Sequence, residues 1–195
     1  MKQNNGTRTI VITGLLLALE IVFQTIGNFL QIGPANINLT LITVVLAGVL
    51  CGPMSAAILG FFNGIMALFS PSTIALFMPL SPYGTVLVCL VKCTLAGIVA
   101  SYVYRLLKNK NRSLALILAS ALVPLINTAI FCLGCFIFFQ DFLKEGVSPD
   151  YPNIGAFLFL GVIGINFLVE FFSTVIISPA AGTILLKREE KALNK

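Results

Sequence analysis

Apolar residues in this chain follow neither the alternation of a half-buried strand nor the narrow stripe of a surface helix; they come in long runs. Residues 9–30 hold a single charge, Glu20. Residues 83–107 hold Lys92 before Arg105, 114–139 hold none, and 154–186 hold Glu170 alone. Runs of about 20 apolar residues are what a helix needs to cross a hydrocarbon layer roughly 30 Å thick. The run 37–69 would make a single helix of about 50 Å, too long for one crossing. Gly52-Pro53 interrupts it near the middle, and that dipeptide marks a turn.

The pattern predicts an all-α polytopic membrane protein, one transmembrane domain over residues 1–195. Its six helices are expected at about 9–30, 35–51, 54–69, 83–107, 114–140 and 154–186. Ser178-Pro179 is expected to kink the last or to end its membrane portion. No internal repeat accompanies the six runs.

Charge gives the prediction a direction. With six crossings and the N-terminus inside, ten of the twelve Lys and Arg lie in cytoplasmic segments, clustered at 2–8, 105–112 and 187–195. Lys144 falls outside and Lys92 within the membrane. That asymmetry is the positive-inside distribution, and it places both termini in the cytoplasm. The net charge of +5 is therefore a topology signal, with nothing in it that points to nucleic acid. Composition agrees: 58% of residues are hydrophobic and 10% charged, against about 25% charged in a soluble domain. A cleaved signal peptide fits 1–23 less well, because the run carries Glu20 and lacks a small-residue cleavage site.

Polar residues inside apolar spans are costly and become functional candidates. Counting about 1.5 Å per residue from the outer helix ends places Glu20 and Lys92 roughly level, about 15 Å deep, with Glu170 deeper. Lys92 has two readings: a partner for the buried Glu20, or the cation available to an anionic ligand. Gln24 follows Glu20 at the next turn; Asn63, Asn127 and Asn166 lie in the outer halves of the third, fifth and sixth spans. Each of these can be interhelical glue; together they suggest a cavity opening outward. Among the outer loops, 70–82 holds an apolar stretch between Pro71, Pro79 and Pro82. It either packs back as a lid or lies at the interface. Gly14 and Ala18 form a small-x3-small pair on the inner half of the first span, a spacing that permits close helix approach.

Several chemistries are missing. No G-x4-G-K-[ST] phosphate loop occurs. With no histidine there is no zinc-protease motif and no Ser-His-Asp triad. The five cysteines sit in apolar runs, and Cys132-x2-Cys135 has no second pair, so they read as small packing residues. The chain is not expected to be an enzyme or to carry a cofactor or metal.

The layout resembles the substrate-binding S components of energy-coupling factor (ECF) vitamin transporters over nearly the whole chain. The resemblance rests on six basic-ended helices and on Thr13-Gly-Leu-Leu-Leu-Ala-Leu-Glu20. It also rests on Ile37-Asn-Leu-Thr-Leu-Ile42 leading into Gly52-Pro53, and on Leu90-Val-Lys-Cys-Thr-Leu-Ala-Gly97. It implies a multi-pass protein of the bacterial plasma membrane that binds a vitamin from outside. Its implied partners are a transmembrane coupling protein and two ATPase subunits, which explains the missing phosphate loop. The family's Ala-x3-Ala docking motif maps to Gly14 and Ala18, with Gly replacing the first Ala. Its ligand position favours Asn36, Asn38, Tyr83, Lys92, Asn127 and Asn166, to which Gln24 and Asn63 add polar depth. One buried cation suits a small mono-anion with an aliphatic body, so pantothenate is the first expectation and riboflavin or another B vitamin the next. A rival reading is an autonomous ion- or proton-coupled carrier using Glu20, Lys92 and Glu170.

Overall fold

A computed structural model describes residues 5–29, 31–32, 35–36 and 38–193, and nearly all of them are helical. The elements in order are α1 (Asn5–Phe29), a two-residue antiparallel pair β1 (Gln31–Ile32) and β2 (Ala35–Asn36), α2 (Leu41–Leu50) and α3 (Pro53–Leu68). A π-helical turn (Thr73–Phe77) then leads into α4 (Pro82–Leu107), α5 (Arg112–Phe138) and the short α6 (Gln140–Glu145). The last run is α7 (Ile154–Ala156), a second π-helical segment (Phe157–Ile163) and α8 (Gly164–Leu193).

Helix starts follow local chemistry. Ser81 and Asn111 cap α4 and α5 by accepting the backbone N–H of Gly84 (3.3 Å) and Leu114 (3.0 Å), which satisfies donors with no partner inside the helix. Pro82 and Pro53 occupy the first turns of α4 and α3, where a missing N–H costs nothing. Gly52 joins α2 to α3 at φ 108°, a conformation open to glycine at little strain. The Arg105 side chain lies against this turn, a favourable place for a cation at the end of α2.

Four helical stretches are long and apolar enough to cross a membrane: Gly6–Phe29, Pro82–Leu107, Arg112–Phe138 and Ile154–Arg188. The second and third expected spans are the shorter apolar helices α2 and α3. α2 begins six residues later than the expected 35. Asn36 instead pairs with Gln31 across the small hairpin. Asn38 and Thr40 bind each other's side chains and that of Asn63, and such side-chain bonds compete with helical ones. At Pro179 α8 continues without a stop. The interruption of the last run comes earlier, at the π-helical segment and Gly164 (φ 21°).

α2 is the centre of the bundle: Leu41 to Val49 are all buried, and α1, α3, α4, α5 and α8 each pack on it. Lipid tails are as apolar as leucine, so helices in a bilayer associate through close packing rather than hydrophobic burial. α3 and α4 achieve that contact at Gly60 and Gly64, where an added Cβ would stand 2.5 Å from the carbonyl oxygens of Cys93 and Cys89. Large apolar side chains such as Leu15, Val22, Leu168, Phe172 and Ile176 point outward. Two buried clusters result. One surrounds α2; the other is rich in aromatic rings and gathers Phe77, Phe139, Leu143, Leu158 and Val162.

Candidate functional site

A cavity lies beside the aromatic cluster, with about 930 Å³ of atom-free space including solvent at its mouth. One wall is α4, where Thr85, Cys89 and Lys92 recur at helical spacing. α5 supplies Asn127, Thr128 and Phe131; the last helix supplies Asn166, Phe167 and Glu170; α1 supplies Gln24 and the start of α2 supplies Asn38. Ser70, Ser72, Thr73 and Phe77 close the remaining side.

Two charged side chains reach the lining, and they are held differently. The Lys92 ammonium lies 5.5 Å from the centroid of the Phe131 ring, a cation–π arrangement. It forms no ion pair within 4 Å among the described residues, and its electrostatic neighbours include Glu170. Glu170 is anchored: Oε1 accepts the backbone N–H of Asn38 at 2.9 Å. Beneath them runs a buried polar layer. The Cys93 thiol donates to Asn63 Oδ1 (2.9 Å) and Asn127 Oδ1 (3.1 Å). Asn63 also bonds Asn38 and Thr40. All five cysteines are free thiols.

Within the apolar segment between Ser70 and Pro82, Phe77 turns inward while Ile74 and Leu80 stay exposed. Phe77 is 7% exposed and packs edge-on against Phe131, Phe139 and Phe142 at 5.7, 5.1 and 5.4 Å. The Thr85 hydroxyl donates to the Phe77 carbonyl at 2.9 Å, tying the segment to α4.

Of the residues singled out by sequence, Gln24, Asn38, Lys92, Asn127, Asn166 and Glu170 share this cavity. Tyr83 does not; it is 90% exposed, on the opposite flank of α4's first turn from Thr85. Asn63 is fully buried below the lining, in the layer that supports Asn38. The side chain of Asn36 lies outside the described residues. Glu20 is buried at 0% exposure and does not line the cavity, and neither carboxylate oxygen has a hydrogen-bond partner among the described residues. No Glu20–Lys92 ion pair occurs among the described residues, and the carboxylate that shares the cavity lining with the lysine is Glu170. Thr85, Cys89, Phe131 and Phe167 were not anticipated. Stepping three and seven residues back from Lys92, and four forward from Asn127, reaches the first three. Gly14 and Ala18 face outward, and a Cβ at Gly14 would meet nothing within 4 Å.

Residues 8–183 match the family described as ECF transporter, substrate-specific component. The chain belongs to that family. It is thus a transmembrane transport protein, the substrate-binding component of a vitamin uptake system. The family is one of transporter components that bind small vitamins and work with an energy-coupling module, and it is not an enzyme family. A relative named Pantothenate transporter PanT, from Leuconostoc mesenteroides subsp. mesenteroides, is 26% identical over 97% of this chain and 98% of its own length. No solved structure matches the chain.

Proposed function

We propose that this chain captures pantothenate on the outer face of a bacterial plasma membrane and delivers it to a separate ATP-driven coupling module. The observation that carries the reading is Lys92, a cation in the cavity wall with no carboxylate in direct contact. A monocarboxylate can neutralise it, and charge-assisted hydrogen bonds of that kind are the strong ones. Asn127, Asn166, Asn38 and Gln24 then offer amides to the ligand's hydroxyl and amide groups, while Phe77, Phe131 and Phe167 enclose its aliphatic part. The similarity to the Leuconostoc relative supports the same choice. Riboflavin and other B vitamins come next.

In this reading α2 and α3 are short crossings, so the chain spans the bilayer six times with both ends in the cytoplasm. The segment 70–82 serves as the lid. The outward face of Gly14 and Ala18 receives the coupling protein, and two ATPase subunits complete the importer. Titration of the purified protein with pantothenate tests the ligand directly. Saturable binding in the micromolar range or tighter is expected. Absence of binding to pantothenate alongside tight binding of a different vitamin would overturn the assignment.

A further inference from the structure

We infer that Glu170 is a specificity-determining residue that limits the cavity to ligands with one negative charge, so that a carboxylic acid enters and its phosphorylated ester is refused. This rests on the reading of the cavity as a pantothenate site. Among the described lining residues Lys92 and Glu170 are the only charged pair, and their formal charges cancel. A site built to hold anions of any charge needs no resident carboxylate. Here one is buried to 7% exposure and fixed in place by the Asn38 N–H on Oε1. Its second oxygen, Oε2, makes no hydrogen bond to a described residue.

That arrangement does two things. Oε2 can accept a hydroxyl or amide N–H from a neutral part of the ligand, which an anionic group cannot supply. It also adds repulsion for every negative charge beyond the one that Lys92 compensates, and such repulsion is much stronger in a low-dielectric cavity than in water. A phosphate ester brings about −1.5 to −2 further charge at neutral pH. Among the described residues no second lysine or arginine reaches the lining to meet it.

The test compares pantothenate, 4′-phosphopantothenate and the neutral alcohol pantothenol by calorimetry on the full-length protein in detergent or nanodiscs. The unaltered protein is expected to prefer pantothenate over its phosphate ester by about 100-fold or more, from the charge repulsion together with the lost hydroxyl donor to Oε2. Glu170→Gln keeps an acceptor for the Asn38 N–H while removing the charge, and should narrow that preference by about tenfold or more. Glu170→Asp keeps the charge and should keep the preference, even where shortening the side chain weakens all three ligands. A Glu170→Gln preference equal to the original, or a Glu170→Asp preference that collapses equally, overturns the inference while leaving pantothenate as the ligand. If the unaltered protein binds none of the three, the ligand reading fails and the inference with it.

Discussion

Lys92 and Glu20 are both ionisable side chains on apolar helices, and the fold treats them in opposite ways. Lys92 reaches a polar cavity beside an aromatic ring, where its charge is usable. Lys92→Ala is expected to weaken pantothenate binding by about 10- to 100-fold, the size of a lost hydrogen bond to a charged group. Equal affinity in the two proteins would remove it as the carboxylate partner. Glu20 lies buried in the bundle with both oxygens unpaired among the described residues, and a buried polar group without a partner destabilises. Glu20→Met should therefore hold or raise the melting temperature, at about 2–4 °C for each kcal/mol of relief. A fall of that size would indicate a partner for the carboxylate. Hydropathy alone identified both as unusual, because any charge in such a run is conspicuous. It did not reveal which faced a cavity, since depth along a helix says nothing of rotation about its axis. The same gap explains Tyr83, which has the right height and the wrong face.

At the scale of elements, two small-x3-small pairs have different fates. Gly60 and Gly64 are consumed inside the chain, where α3 presses on the backbone of α4. Gly14 and Ala18 stay uncovered on α1. A leucine at Gly14 has room in the isolated chain, so Gly14→Leu should leave ligand binding unchanged. It should abolish uptake when the coupling module is present, because the added bulk would stand on the proposed docking face. Normal ATP-driven uptake by that variant would place the contact elsewhere. Sequence spacing marks both pairs equally; which of them a neighbouring helix covers is a tertiary outcome. The Gly52-Pro53 turn was readable because its chemistry is local. The late start of α2 was not, since it depends on Asn38 meeting Asn63 and Glu170 from distant parts of the chain.

Across the whole molecule, a solvated cavity sits at one end of a bundle whose other end carries the basic flanks 105–112 and 187–191. No phosphate loop is present, so the chain has no such motif of its own for driving transport with ATP. Liposomes containing this chain alone should bind pantothenate without accumulating it, and accumulation should appear when a coupling protein and ATPases are added with ATP. Accumulation by the chain alone under a proton or sodium gradient would favour the ion-coupled reading instead. The gross plan was readable because the bilayer forces long apolar runs. The aromatic cluster beside the cavity was less so, since its rings come from 77, 131, 139 and 142 and meet only in the fold. In the proposed reading that cluster has a kinetic consequence. Phe77 touches three rings at once, and each such pair is worth about 0.5–1.5 kcal/mol. With 70–82 as the lid proposed above, lifting it would lose all three contacts together, so departure of a bound molecule would wait on a single concerted rupture. In a chase of labelled pantothenate, Phe77→Ala should release its load about tenfold or more faster while the capture rate changes far less. In that reading a cargo's dwell time, set by one phenylalanine, would decide how long a loaded protein can wait for the proposed coupling partner.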